Sequence, residues 1–175
     1  MIELLAPASS PEGVVAAVKN GADAIYMGFS SHNARRNAKN FNDDEFGTAI
    51  EYCRVRGVKT YITLNTLASD REFGDIVRLG RRANRLGADA ILVQDLGVLS
   101  ALRKTIPDMP LHASTQMSVH NLDGVKVAAA MGLKRVVLSR ELSLEEIKYI
   151  AKNSPIEIEV FVHGALCMCY SGQCY

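Results

Sequence analysis

The amino-acid sequence predicts an α/β protein that folds as a parallel (β/α) TIM-like barrel, incomplete and with about seven strands. Three observations predict this fold class. Short apolar runs rich in β-branched residues alternate seven times with amphipathic stretches, which is typical of a parallel sheet. The unit recurs along the whole chain, which favours a barrel over an open doubly wound sheet. No G-x-G-x-x-G motif follows the first run.

Seven runs are the predicted strands, because each is short, mostly apolar and bounded by polar or turn-forming residues. In chain order they are Ile2–Leu5, Ala24–Met27, Lys59–Thr63, Ala90–Val93, Leu111–Ala113, Arg135–Leu138 and Ile156–Val162.

Helix-capping residues precede the amphipathic stretches between these runs. The caps are Ser10 before Pro11, Asn42 with Glu45, Ser69 with Glu72, and Ser143 with Glu146. Helix ends repeat too, since Gly21, Gly87 and Gly132 each lie shortly before a predicted strand. The element boundaries therefore depend on end signals as well as on hydrophobicity.

Residues 1–175 are predicted to form a single domain, because the sequence contains no linker or low-complexity stretch. A complete barrel of this type has eight strands, and the final residues, GALCMCYSGQCY, include no closing helix. We therefore expect a chain truncated at its carboxyl terminus. An open barrel exposes an edge between its first and last strands, which predicts a homo-oligomer.

Composition excludes several classes of protein. No apolar run approaches the length of a membrane span, so no contact with a membrane is expected. The first residues, MIELLAPASS, lack the segments of a secretory signal, and the cytoplasm is the expected compartment. Twenty basic and nineteen acidic side chains leave a net charge of +1. Any nucleic acid must therefore be bound by a local patch.

Polar side chains follow the predicted strands, where parallel barrels build their active sites. We expect one set of these residues to serve catalysis, namely His112, Gln116, Arg140, Glu141 and His163. A second set is expected to bind substrate, namely Arg35, Arg36, Asn65, Gln94 and Asp95.

Several of these candidates also have a purely structural explanation. Asp95 fits the N-cap of the next helix, and His112 fits a hydrogen-bonded histidine of the core. Arg140 and Glu141 fit an ion pair across the barrel mouth. From the residues alone, both explanations stay open.

Arg35 and Arg36 lie in the long loop after the second predicted strand. They fit a solvated loop, but paired guanidinium groups beside a pocket suit bidentate binding of carboxylate or phosphate. We favour this second interpretation, with an anionic small molecule or an RNA backbone as the ligand.

Three of the four cysteines, Cys167, Cys169 and Cys174, are clustered at the end of the chain. Soft thiolates at this spacing can converge on one metal or cluster, and His163 adds a fourth donor. Their spacing leaves an iron–sulfur cluster, a zinc site and thiol catalysis open, beside spare structural thiols. Cys53 lies between apolar positions of a predicted helix and is expected to be a buried small hydrophobe.

The sequence resembles a known family at VFVHGALCMCYSGQC, supported along the chain by ELLAPA, NGADAIYMG, NARRNAKNF, TLNT, VQDLGV, LHASTQ and LSRELSLEEI. In these motifs and their order it is similar to the collagenase-like proteins of peptidase family U-32, over essentially the whole chain. Members of that family normally continue well beyond this length.

The resemblance implies a cofactor and a class of reaction. Several bacterial members are linked to oxygen-independent hydroxylation of pyrimidines in tRNA or rRNA, with prephenate implicated as hydroxyl source, and others act in ubiquinone synthesis. The family's cysteines hold a [4Fe–4S] cluster, which implies Cys167 and Cys174 as two of its ligands. Cys169 lies where relatives commonly have a small residue. The other two family cysteines lie C-terminal to Tyr175, so we expect an incomplete cluster here.

These implications favour an iron–sulfur-dependent hydroxylase of RNA pyrimidines, with tRNA or rRNA as partner. A cysteine- or metal-dependent peptidase is the first alternative, although neither H-E-x-x-H nor G-x-S-x-G occurs. An inactive scaffold fragment is the second.

Overall fold

The computed structural model of the chain describes residues 2–29, 41, 43–164 and 168–173. In these residues, seven parallel strands pair in chain order and form a curled half-barrel with helices, which confirms the predicted fold class. The strands are β1 Leu5–Pro7, β2 Ala24–Gly28, β3 Lys59–Leu64, β4 Ala90–Val93, β5 Leu111–Ala113, β6 Arg135–Val137 and β7 Glu157–Glu159. The helices are α1 Pro11–Lys19, α2 Asp43–Arg54, α3 Asp70–Leu86, α4 Leu96–Thr105, α5 Leu122–Ala130 and α6 Leu144–Asn153.

Side chains alternate between the two faces of the sheet, because successive residues of a strand point to opposite sides. A large core lies between strands and helices, with Ile62 and Ile91 packed in the same cluster as Leu102 of α4. A smaller cluster, formed by residues of the strands alone, lies inside the curl and includes Tyr61 and Leu92. Polar side chains that share this inner face can therefore meet across the lumen.

The predicted helix ends are confirmed where the structure describes them. Ser143 and Glu146 form a reciprocal capping box at α6, and the Ser10 side chain accepts the Gly13 N–H at α1. Gly87 ends α3 with φ of 85°, in the left-handed region that glycine adopts at little cost. The cap predicted at Asn42 lies outside the described residues.

The predicted bounds of the first and last strands are wrong. Pairing begins at Leu5, whose Cα is in register with Ala24, while Ile2 is almost fully exposed. At the other end, β7 stops at Glu159, and the apolar residues Val160–Val162 are exposed. Each edge strand has one neighbour only, so an apolar run there is not held in the sheet over its whole length.

Two further predictions concern side-chain burial and helix length. Cys53 is fully buried in α2, and burial raises the pKa of its thiol to about 11, which makes it an inert hydrophobe. None of the helices in the described part of the chain has the length and hydropathy of a membrane span.

Candidate functional site at the barrel mouth

The carboxyl ends of β3, β4 and β5 bring three polar side chains of the inner face to one level. Asn65, Gln94 and Ser114 each follow the last residue of their strand, and the Asn65 side-chain amide donates to Ser114 Oγ over 3.0 Å. The same oxygen accepts the Gln116 N–H over 3.3 Å. Asn65 and Gln116, both predicted from sequence, are thus joined through a serine that was not predicted.

Asp95 has the structural role that was its alternative explanation. One carboxylate oxygen accepts the Val98 N–H over 2.9 Å and caps α4. The other accepts the Ala68 N–H over 3.2 Å and so fixes the loop after β3. Both oxygens are therefore engaged with backbone, and Asp95 supports the mouth through its loops.

The cysteine-containing segment docks on the mouth through Ser171, which is fully buried. Glu141 Oε1 accepts the Ser171 N–H over 2.6 Å and its hydroxyl over 3.0 Å. The Arg140 N–H donates to Ser171 Oγ over 3.2 Å. Arg140 and Glu141, which were predicted together, thus both hydrogen-bond to Ser171. This serine lies between Cys169 and Cys174 in the sequence.

The residues next to Ser171 contact the loop after β5. Ser118 Oγ donates to the Ser171 carbonyl over 2.7 Å and accepts from the Gln173 amide over 3.1 Å. Gly172 has φ of 80°, and a Cβ there would contact both Ser118 Oγ and the Gln116 carbonyl. Glycine is therefore required at this position both by its backbone conformation and by the close approach.

Glu141 is the anchoring charge of this contact. Partial burial acts to raise its pKa, but hydrogen bonds from its own N–H and from Ser171 outweigh burial, and the pKa of Glu141 lies below its usual value. The carboxylate is therefore ionised at neutral pH, in the form that accepts strong hydrogen bonds.

His120 belongs to the same network and was not predicted. Its Nε2 lies 3.3 Å from Glu141 Oε2, an ion pair when the histidine is protonated, and its ring meets that of Tyr170 edge-on. It lies seven residues after the end of β5, whereas the predicted site residues of this region follow their strands more closely. The docked turn itself could have been predicted from the sequence only through the glycine in CYSGQC, because glycine is typical of a tight turn.

Ser139, His120 and Glu141 are close enough to invite comparison with a hydrolytic triad. Ser139 Oγ lies 3.3 Å from His120 Nδ1, but the Ser118 carbonyl lies nearer, at 2.8 Å from the same nitrogen. A carbonyl only accepts, so the hydrogen bond to Ser118 needs the proton on Nδ1, and a protonated Nδ1 is no base toward Ser139. Ser139 is also buried. The arrangement therefore holds the histidine in place and does not activate a serine.

His112 lies apart from this network, nearer the amino ends of the strands. It is paired in register with Arg135, the first residue of β6, and its ring packs edge-on against Tyr61. Burial, reinforced by the positive charge of Arg135, lowers the pKa of His112 to about 4. Its Nδ1 is buried and has no hydrogen-bond partner among the described residues. The structure does not bring His112 together with Gln116, Arg140 or Glu141.

Arg135 organises the amino-terminal end of the lumen. It donates to Glu157 over 2.6 and 2.8 Å, to Glu3 over 2.7 Å and to Glu159 over 3.3 Å. Burial acts to raise the pKa of Glu3, but hydrogen bonds from Lys59, Arg135 and Tyr61 lower it to about 2. For Glu159 burial prevails and its pKa is raised, because Arg135 lies closer to the other two carboxylates.

The remaining predicted residues lie away from these contacts or outside the described residues. His163 is exposed after β7, and Cys169 is exposed near the docked turn. Arg35, Arg36, Cys167 and Cys174 lie outside the described residues. Among the residues that are described, no three His, Cys, Asp or Glu side chains converge as a metal site.

A [4Fe–4S] cluster fits the donor chemistry of this chain only in part. Thiolates are the ligands that iron–sulfur clusters prefer, and the segment with three cysteines is the one docked on the mouth. Cys53 is buried in α2 and cannot join them. The residues suit two or three positions of a four-cysteine set.

Sequence comparison identifies relatives over nearly the whole chain. The profile of Peptidase family U32 matches residues 9–175. The chain is 39% identical to the 23S rRNA 5-hydroxycytidine C2501 synthase of Escherichia coli strain K12, covering 99% of this chain and 26% of that protein. It is also 39% identical to tRNA hydroxylation protein P of the same organism, covering 98% and 38%. The chain thus spans between about a quarter and two fifths of these relatives.

Structure comparison agrees on the fold. The U32 peptidase Mk0906 superimposes with a TM-score of 0.74 at 17% identity, covering 91% of this chain and 68% of that one. At this identity the likeness shows the fold alone.

Proposed function

The chain belongs to peptidase family U32, and from this membership and the geometry of its mouth we propose that it is part of an enzyme that hydroxylates pyrimidines in tRNA or rRNA. Relatives named for these two reactions match nearly all of its residues. The relatives named for these two reactions are 39% identical to the chain, whereas the collagenase of Porphyromonas gingivalis strain ATCC BAA-308 / W83 is 33% identical to it, so we favour RNA over peptide as the substrate.

The observation that carries the proposal is the docking of the cysteine-containing segment. Glu141 and Ser118 hold Ser171–Gln173 against the loops that follow β5 and β6. This turn directly precedes Cys174 in the sequence, and its Gly172 lies against the Gln116 carbonyl. A mouth lined by amides and hydroxyls offers hydrogen-bond partners to a nucleobase, and a turn of the cysteine-containing segment is docked on it.

Hydroxylation of a pyrimidine replaces C–H by C–OH and needs both an oxygen source and an electron acceptor. We assign Cys167 and Cys174 as ligands of a [4Fe–4S] cluster, with the other ligands from outside this chain. When bound, such a cluster would pass the two electrons released, one at a time, to an electron acceptor from outside this chain. Arg35 and Arg36 are proposed to bind the anionic hydroxyl donor, for which prephenate is the candidate, or an RNA phosphate.

The proposal is tested by disrupting the gene in its own organism and measuring modified nucleosides from tRNA and rRNA by mass spectrometry. We expect one pyrimidine carrying an added oxygen to disappear. Complementation with the natural gene should restore it, and complementation with Cys167→Ser or Cys174→Ser should not.

Cys53→Ala is the matched control, because it removes a thiol that is buried far from the mouth segment in sequence. It should restore the modified nucleoside. Unchanged nucleosides in the disrupted strain would overturn the proposal. Loss of casein or collagen cleavage in Cys167→Ala, with unchanged nucleosides, would establish the peptidase alternative.

A further inference from the structure

Helix α3 carries a concentration of arginine that the mouth does not use. Five of the twelve arginines of the chain lie in this one helix. Its three carboxylates all lie within residues 70–75, and the stretch 78–85 contains four arginines and no acid. The helix has a net charge of +2 in a chain whose net charge is +1.

The arginines are arranged on the outer face of the helix. Arg71, Arg78, Arg82 and Arg85 are separated by seven, four and three positions, which places them within a sector of about 60° at 3.6 residues per turn. The opposite face is buried through Ile76, Gly80 and Ala83, and a Cβ at Gly80 would meet Leu102 of α4. Arg81 lies about 40° outside this sector, and the five arginines together occupy about 100° of the helix surface. We call Arg71, Arg78, Arg81, Arg82 and Arg85 the α3 ridge.

Much of the positive charge of the α3 ridge is uncompensated. Arg78 pairs with Asp75, whereas Arg71, Arg81 and Arg85 form no ion pair with any described residue. Arg78 with Arg82 and Arg81 with Arg85 are like charges four positions apart, which destabilise a helix by repulsion. Carboxylates at alternate positions of this face would convert the repulsion into attraction, and residues 78–85 contain none. The arrangement fits a ridge that binds an anion from outside.

We propose that the α3 ridge binds the phosphate backbone of RNA. This inference depends on the proposed function for the identity of the polyanion. Guanidinium groups bind phosphate oxygens in a bidentate manner, and arginine is the residue that structured RNA phosphates favour for such contacts. From Arg71 to Arg85 the ridge is about 21 Å long, enough to contact several consecutive phosphates.

The α3 ridge begins at the end of the barrel that carries the mouth. Arg71 lies in the first turn of α3, which follows the loop from Asn65, and the helix runs from the mouth toward the amino ends of the strands. RNA bound along α3 would therefore have one end of its contact beside Asn65 and Ser114. The ridge supplies affinity without base specificity, and the mouth selects the base.

The test measures binding of unfractionated tRNA to the chain by fluorescence anisotropy over a range of salt concentrations. The variant Arg78→Gln/Arg81→Gln/Arg85→Gln removes three ridge charges, and Gln retains helix propensity. Lys19→Gln/Lys148→Gln/Lys152→Gln removes three exposed charges from α1 and α6 as the matched control. We expect at least tenfold weaker binding for the ridge variant and a slope of log K against log salt that is smaller by about two to three.

The control variant should bind within about twofold of the unsubstituted chain. Equal losses of tRNA affinity in both triple variants would show that the effect comes from net charge alone, and the proposed binding by the α3 ridge would be wrong. Circular dichroism should show that the ridge variant is as helical as the original, because the repulsion that its substitutions relieve offsets the exposed Arg78–Asp75 ion pair that they remove. If vesicles of phosphatidylglycerol, and not tRNA, lose binding in the ridge variant, the surface binds lipid and the inference is wrong.

Failure of the ridge and failure of the proposed function give different results. If the ridge variant binds tRNA normally and gene disruption does remove a hydroxylated pyrimidine, the ridge is wrong and the proposed function stands. Weakened tRNA binding by the ridge variant, with no nucleoside changed by gene disruption, would overturn the hydroxylation reaction and leave the ridge in place.

Discussion

The two ends of the barrel lumen both carry polar side chains, but of different kinds. The amino-terminal end is a network of full charges in which Arg135 contacts Glu3, Glu157 and Glu159. The mouth has amides and hydroxyls, with Glu141 as the carboxylate that holds the docked turn. At the amino-terminal end, the contacts of Arg135 join β6 to β7 and to Glu3, which lies 132 positions earlier in the chain. At the mouth, the contacts hold loops in place.

The large pKa shifts of this protein lie at the opposite end of the lumen from the candidate site at the mouth. Glu3, Tyr61, His112 and Arg135 are all strongly shifted, and all lie at the amino-terminal end. Perturbed pKa values are common at catalytic sites, but buried structural networks produce them as well. In parallel barrels this end serves stability.

Removal of Arg135 is expected to have the largest effect. Arg135→Leu leaves three carboxylates around a buried position with no guanidinium between them, so we expect the free energy of unfolding to fall by about 3–5 kcal/mol. Urea denaturation measures this. Arg140→Leu, which removes an exposed arginine at the mouth, should cost less than about 1 kcal/mol. Similar losses in both variants would contradict the division between the two ends.

The next largest effect is expected from His112, which makes the free energy of unfolding depend on pH. Its folded pKa is about 4, below the value of about 6.5 expected in the unfolded chain. The unfolded state therefore binds the proton more readily, and stability is complete above pH 6.5 and falls as the pH is lowered toward 4. The expected loss is on the order of 3 kcal/mol.

The measurement is the free energy of unfolding between pH 7 and 4.5, for the chain and for His112→Asn. The variant should lose most of the slope in this range. Glu3, with a pKa of about 2, adds its own loss at lower pH, below the range of the measurement. An unchanged slope in the variant would assign the dependence to other groups.

Most of the fold could be predicted from the sequence, because alternation and caps are local signals. All seven strands were predicted, and the inner ones to within one residue, since they are buried on both faces and their apolar runs match their length. The bounds of β1 and β7 were not predictable in this way. An apolar run at a free edge looks the same in sequence whether or not it is paired.

The candidate site was predicted in part, for a related reason. Strand ends gave Asn65, Gln116, Arg140 and Glu141, which the structure brings to the mouth. The partners that hold them, such as His120, come from contacts between distant segments, which no local pattern contains. Strand alternation did hold unused information about His112, since it lies two residues before Ser114 and thus one level deeper on the same face.

Gly172→Ala is expected to loosen the mouth without disturbing the amino-terminal end. A Cβ in the left-handed conformation costs about 1–2 kcal/mol, and here it would also meet the Gln116 carbonyl at 2.5 Å. Amide hydrogen exchange at residues 170–173 should become faster, while exchange in β6 stays unchanged. Gly74→Ala in α3, where nothing lies within 4 Å, is the matched control and should stabilise the helix by up to about 1 kcal/mol.

Glu141→Gln is the smallest change and the sharpest test of what the mouth carboxylate does. Gln keeps the shape and one acceptor for Ser171 but loses the charge, and a hydrogen bond to a partly exposed carboxylate contributes about 1 kcal/mol. Exchange of the Ser171 amide should accelerate several-fold at pH 7. As the pH falls through the lowered pKa of Glu141, the unsubstituted chain should approach the variant, because its carboxylate becomes neutral too. Glu145→Gln on the exposed face of α6 should leave Ser171 exchange unchanged. If Glu141→Gln does the same, the turn is held by Ser118 and Gly172, and the charge at the mouth is free to contact a substrate.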